Sequence, residues 1–321
     1  MEEEDLPAFS WPTRPEDRPQ VVPVPWHEIT PEWAWGESTG RGIKVCIVDS
    51  GVEANHPALG GMVRGGVVVE KTEEGPIVRE EPHGDLFGHG TACAGIIHGL
   101  APEAEIYSAR VLGPNLKGGG DALIAGLEWA VENHMNVINL SLSTRKQQHV
   151  LSLHDLADDA YFQNTILVAS ANNTPVYSYP WLFSSVISVA CHTERDPFTF
   201  YYNPQPPVEF TAPGVDLDLA WAGGGTATGT GNSYATPHIA GIAALILAKH
   251  PHLTPFQLKT VMYYTAKNVR EATSGKEVAG GRGTGSQTRA GDGACHHCRS
   301  GNADPPAGRG RAAREWPGCS P

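Results

Sequence analysis

Apolar residues fall into short unbroken runs divided by glycine, proline and charge, and over residues 26–272 two kinds of run alternate. Lys44-Val45-Cys46-Ile47-Val48 is a continuous apolar run closed by Asp49-Ser50-Gly51, the pattern of a strand buried on both faces. Similar runs predict strands over Glu105–Val111, Val137–Leu142, Thr165–Ser170 and Val186–Cys191. Between them, apolar spacings of three and four predict helices over Thr91–Gly99, Ala122–Asn133 and Leu151–Gln163. A long apolar helix over Ser233–Lys249 and an amphipathic one over Pro255–Ala266 follow. Strands that alternate with helices require crossover connections. The expected fold is therefore α/β, a single domain with a mainly parallel twisted sheet covered by helices on both faces.

The two ends of the chain have a different character. Residues 1–25 hold six prolines and six acids, and an extended arm is expected there. From 273 the core pattern stops, and residues 281–321 carry nine Gly and six Arg with no Leu, Ile, Val, Met, Phe or Tyr. Such a segment cannot offset its ordering entropy by burial, so a disordered Gly/Arg-rich tail is expected over 273–321. Cys295-His296-His297-Cys298 offers zinc-type ligands in that tail, but a structural site needs four donors held together. No metal and no cofactor are expected.

The chain of 321 residues has a net charge of −12, which argues against nucleic acid and anionic membrane surfaces as partners. Its longest apolar stretch, Ile239–Ala248, is too short to span a bilayer, and Met1-Glu2-Glu3-Glu4-Asp5 lacks the positive start of a secretory signal. Cys46, Cys93 and Cys191 lie in apolar runs and read as buried free thiols, which suits a reducing, cytoplasmic setting.

Three positions at strand ends or helix starts offer chemistry. Asp49 closes the first strand, His89 lies in Gly88-His89-Gly90-Thr91, and Ser233 lies in Gly231-Asn232-Ser233-Tyr234. Taken singly, each has a plainer use: a loop cap, a turn, a helix N-cap. Together they supply the acid, base and hydroxyl of nucleophilic catalysis, gathered at the strand-end rim where open α/β sheets bind ligands.

The surrounding words sharpen this. Val48-Asp49-Ser50-Gly51-Val52, Gly88-His89-Gly90-Thr91-Ala92-Cys93-Ala94-Gly95 and Gly231-Asn232-Ser233-Tyr234-Ala235-Thr236-Pro237-His238 closely resemble the three signature blocks of subtilisin-like serine peptidases. The resemblance runs over about residues 26–270 and implies a monomeric serine endopeptidase acting on polypeptide substrates. It implies Asp49 as orienting acid, His89 as general base and Ser233 as nucleophile. Asn172, in Val168-Ala169-Ser170-Ala171-Asn172, is implied as the oxyanion donor, with Asn232 a further polar donor nearby. Ser141-Leu142-Ser143 and Ala169-Ser170-Ala171 resemble the walls of the pocket for the side chain before the scissile bond, and Ser178 its floor. Small neutral residues there imply a neutral or apolar preference. Gly118, in Lys117-Gly118-Gly119-Gly120, resembles part of an edge strand that pairs with extended substrate. Gly120 stands where an aromatic often lids a more distant pocket. The short link Gly95–Leu100 leaves no room for the calcium loop of many relatives, and Ala58 stands where a calcium-ligating Asp would be. The 48 residues before Asp49 leave little space for a large inhibitory prodomain. Two alternatives are a maturation peptidase dedicated to one partner and a peptide-binding pseudopeptidase.

Overall fold

The computed structural model describes residues 22–280. After a short helix α1 (Pro31–Ala34), the chain enters β1 (Lys44–Asp49), then the hairpin β2 (Val63–Thr72) and β3 (Gly75–Glu80). It continues through α2 (His89–Leu100), β4 (Glu105–Arg110), α3 (Gly120–Glu132), β5 (Val137–Leu140), α4 (Val150–Phe162) and β6 (Ile166–Ser170). Strands β7 (Ile187–His192), β8 (Tyr201–Tyr202), β9 (Phe210–Pro213), β10 (Leu217–Trp221) and β11 (Gly225–Gly229) precede α5 (Asn232–Lys249), α6 (Pro255–Thr265) and α7 (Lys267–Gly280).

Nine strands form one sheet in the order β3-β2-β4-β1-β5-β6-β7-β9-β8. All neighbours pair in parallel except β2 with β3 and β8 with β9, so antiparallel strands are confined to the two edges. Side chains alternate across this sheet and so divide between two cores. Val45 and Ile47 of β1 pack with α2, α5 and α6 on one face, while Cys46 and Val48 pack with α3 and α4 on the other. The result is three layers, as the alternating pattern predicts.

Helix α5 lies against the middle of the sheet and is buried continuously from Tyr234 to Leu247, which explains why its sequence is apolar all round. Helix α6 opens with Pro255 and a reciprocal capping box between Thr254 and Gln257. No helix of the described residues is long and apolar enough to cross a membrane.

The structure alters the expected boundaries. Val24 is buried in the α5-side core and Trp26 packs on Tyr264, so the core starts inside the segment expected to be an arm. The expected tail boundary at 273 falls within α7, which continues as helix to Gly280. The remainder of both expected end segments, residues 1–21 and 281–321, including the Cys295–Cys298 cluster, lies outside the described residues.

Candidate active site

The carboxyl ends of β1, β5 and β6 and the amino ends of α2 and α5 meet at one rim of the sheet. Asp49 is the last residue of β1, His89 the first of α2 and Ser233 the second of α5. His89 Nδ1 donates to the Asp49 carboxylate, at 2.8 Å from Oδ2 and 2.9 Å from Oδ1, and Asp49 is fully buried. On the other side of the ring, Ser233 Oγ lies 2.9 Å from His89 Nε2. Asp49 also accepts the Ser50 amide at 2.7 Å, which helps to hold its carboxylate in place against the imidazole. Burial opposes charge on His89, but the Asp49 carboxylate outweighs it through its charge and hydrogen bond. Asp85 adds to this, and the imidazole titrates above its ordinary range.

Close backbone approach lets α2 reach β1. A Cβ on Gly90 would stand 2.0 Å from the Gly51 carbonyl, and one on Gly88, at φ +119°, would enter the Trp221 ring at 2.5 Å. The Gly-His-Gly word is thus a packing requirement on both sides of the imidazole. Gly88 has no side chain with which to cap α2, and Asp85 does so instead. Its Oδ1 accepts from Phe87 N, Gly88 N and Ser50 Oγ at 2.9, 2.7 and 2.7 Å, and its Oδ2 from Thr91 N and Oγ1 at 2.8 and 2.7 Å. Asp85 therefore ties the residue after Asp49 to the helix that carries His89. The sequence alone did not single it out; an Asp three residues before the glycine that opens the helix is the signal that was available.

The two adjacent asparagines at the end of β6 face different ways. Asn172 turns its Oδ1 to Thr174, accepting from N at 3.0 Å and from Oγ1 at 2.8 Å. Its neighbour Asn173 faces Ser233: its Oδ1 accepts the Asn232 amide at 2.9 Å, and its Nδ2 and Ser233 Oγ both lie within 3.4 Å of the point where a Gly231 Cβ would stand. Among the described residues, Asn173 Nδ2 donates to no protein acceptor. Asn232 is also spent elsewhere. Its Nδ2 donates to the Ala171 and Asn172 carbonyls at 3.3 and 3.2 Å and its Oδ1 accepts from Cys191 N at 2.9 Å, bracing the start of α5 against β6 and β7.

A cavity of about 290 Å³ opens beside His89 and Ser233, with Ser141, Leu142, Ser143, Ser170 and Ala171 in its walls. Three expected pocket residues stand back from it. Ala169 is in the α3-side core, Gly118 lies against the Val111 carbonyl, and Ser178 is buried behind Ser143, joined to it at 2.9 Å and to Trp181 Nε1 at 2.8 Å. The segment around Gly118 joins no strand among the described residues. The space over Gly120 is filled by the buried His149 ring, which a Cβ at Gly120 would meet at 2.2 Å. A larger cavity, about 610 Å³, lies away from the triad beside Lys44, Tyr107 and Trp129 and brings none of these side chains together.

Tyr234 packs against the His89 ring, with centroids 5.1 Å apart, and burial pushes its phenol up to about 12. Cys93, one helical turn beyond His89, is fully buried, and its thiol is held well above the ordinary range, chiefly by burial. Among the described residues, Asp49, His89 and Cys93 are the one group with metal-ligating atoms within 4.8 Å of one another. Over Gly95–Leu100, where no calcium loop is expected, α2 runs unbroken to Leu100, and the side chain beside Gly60 is the His98 imidazole. A single imidazole and an Ala58 methyl do not make an oxygen cage for a hard cation.

Comparison with known proteins places this geometry. Residues 40–293 match the family model described as the subtilase family. The chain is 33% identical over 270 residues to minor extracellular protease Epr of Bacillus subtilis (strain 168), covering 80% of this chain and 39% of that protein. It is 33% identical over 243 residues to subtilisin E of the same organism, covering 71% and 61%, and to subtilisin of Bacillus pumilus, covering 71% and 85%. The chain thus spans less than two thirds of the length of Epr and of subtilisin E. The crystal structure of a cold adapted subtilisin-like serine proteinase superposes with a TM-score of 0.59 at 28% identity, over 73% of this chain and 87% of that one.

Proposed function

The chain belongs to the subtilase family, and we propose that it is a serine endopeptidase that cleaves polypeptides through Asp49, His89 and Ser233. The unbroken hydrogen-bond line from a buried carboxylate through imidazole to hydroxyl, at 2.8 and 2.9 Å, carries this reading. Ser233 Oγ attacks the scissile carbonyl carbon as its proton passes to His89 Nε2, and Asp49 holds the ring in the tautomer that leaves Nε2 free to accept. The oxyanion that forms is met by the Asn173 amide, the Ser233 N–H and the amino end of α5. His89 then protonates the departing amine, and water, deprotonated by the same nitrogen, releases the acyl group. The small neutral walls of the cavity support a neutral or apolar preference for the side chain before the cleaved bond.

The test is hydrolysis of unfolded casein together with fluorophosphonate labelling of the full chain. Ser233→Ala is expected to lose both while keeping its melting temperature; wild-type-like turnover by that variant would refute the mechanism. Asn173→Ala is expected to lower kcat about 10²–10³-fold, the scale known for the corresponding residue of one subtilisin, while Asn172→Ala changes it little. The reverse order would return the role to Asn172.

A further inference from the structure

Pro237 is the sixth residue of α5 and is buried. In a helix the amide of residue 237 would donate to the carbonyl of residue 233, but proline has no N–H. The carbonyl left without its helical donor belongs to Ser233 itself. A buried carbonyl without a partner is costly, so the accounting has to close elsewhere.

It closes on β5. Ser141 Oγ donates to the Ser233 carbonyl at 2.8 Å. A carbonyl oxygen can only accept, and the other neighbours of the hydroxyl leave its proton for that bond. Asn139 Nδ2 lies 3.0 Å away and the Cys93 thiol 3.5 Å away, and both approach as donors. With its acceptor positions filled, Ser141 has one place for its own proton, the Ser233 carbonyl. Asn139 and Cys93 are fully buried and Ser141 nearly so.

We propose that Ser141 is a positioning residue for the nucleophile, not only a wall of the pocket: its hydroxyl replaces the amide that Pro237 lacks. It thereby fixes the backbone of Ser233 and the place of Oγ relative to His89. Asn139 and Cys93 hold that hydroxyl in line. The inference rests on the reading of Ser233 as a nucleophile and adds the element that keeps it in register.

The two roles of Ser141 separate kinetically. A pocket wall acts on KM and on the ranking of substrates by the side chain before the cleaved bond. A positioning residue acts on kcat, equally for all substrates. The experiment measures kcat, KM and melting temperature for the full-length wild type, Ser141→Ala, Pro237→Ala and the double variant, on peptides that differ at that one side chain. Ser141→Ala is expected to lose about tenfold in kcat, the scale of one hydrogen bond, with the ranking unchanged. The double variant is expected to recover most of the loss, because residue 237 again has an amide to give. A Ser141→Ala effect confined to KM or to the ranking overturns the proposal, as does a folded double variant no faster than the single one. Should Pro237→Ala fail to fold, Ser141→Thr, which keeps the hydroxyl, must retain a kcat that Ser141→Ala loses; equal values refute it. A wild type that neither hydrolyses peptides nor takes a fluorophosphonate removes the peptidase reading, and the proposal with it.

Discussion

Replacing Asp85 with asparagine exchanges one carboxylate oxygen for an NH₂ group and removes one charge, at a position whose hydrogen bonds go to Ser50, Phe87, Gly88 and Thr91 and not to His89 or Ser233. In the wild type, five donors converge on this carboxylate, three on Oδ1 and two on Oδ2. Asparagine can keep the three at Oδ1. At the other position its NH₂ faces the Thr91 amide, two donors opposed, and that amide loses its acceptor. An unpaired buried donor costs about 1–3 kcal/mol, and loss of the charge at the α2 amino end adds about 0.3–1 kcal/mol. Asp85 is only partly buried, so solvent recovers some of this, and about 2 kcal/mol is the expected net loss. For a domain of this size that is a fall of roughly 4–8 °C in melting temperature.

The same substitution carries two pH signatures. Burial raises the Asp85 pKa, but the hydrogen bonds from Phe87, Thr91 and Gly88 outweigh it and hold the carboxyl below its ordinary 3.8. A carboxyl depressed on folding stabilises the native state above its unfolded pKa, and the gain disappears as pH falls through the folded value. The gap in melting temperature between wild type and Asp85→Asn should be constant near neutrality and close in acid below that range. In the activity profile, Asp85 favours the charged form of His89, and activity needs the neutral form. Asp85→Asn should move the acid limb of kcat/KM to lower pH. Calorimetry and pH–rate profiles read both effects. Equal melting temperatures at pH 7, or an acid limb that stays in place or moves upward, would show that Asp85 does not brace the histidine as argued.

Mercurials should inhibit through Cys93, whose Sγ is 3.8 Å from the Ser233 carbonyl; inhibition should be slow, because the thiol is buried, and Cys93→Ala should relieve it. Undiminished inhibition of Cys93→Ala with Cys191 also replaced would place the sensitive group elsewhere. Chelation with EDTA should leave the melting temperature within about a degree, because α2 and Ala58 offer no oxygen cage whose occupancy would stabilise the native state. A large fall would reveal a cation site built from other residues.

The central strands and helices were legible because buried apolar runs bounded by Gly, Pro and charge have few other uses. The β2–β3 hairpin escaped because an edge hairpin lacks that signature: only Val67–Val69 of β2 are buried, and β3 is exposed along almost its whole length. The β10–β11 pair is masked by its glycine-rich sequence, and its position depends on a distant residue, since Glu53 accepts the Gly223 amide at 2.7 Å. That Asp49, His89 and Ser233 meet could be read from local words. Which of two adjacent asparagines faces Ser233 could not, because one step along an extended chain reverses a side chain, and composition does not fix that register.

What local sequence hides at this site is the support for the reacting groups, which comes from elsewhere in the chain. Pro237 shows why. Along the chain, it is a defect four residues after Ser233, removing a hydrogen bond from a helix that buries every residue from Tyr234 to Leu247. Read in space, it releases the Ser233 carbonyl from its own helix and gives it to Ser141 at the end of β5. Asn232 makes the same transfer to the ends of β6 and β7, and Asp85 does so between β1 and α2. Each element that presents a reacting group is therefore held by an element that carries a different one, or by the strand that lines the cavity. Apart from the local bond between Asp85 and Thr91, these hydrogen bonds connect residues 35 to 92 positions apart, so they need the sheet assembled. The geometry of the site therefore depends on the central strands β1, β5, β6 and β7 together and not on any one local word.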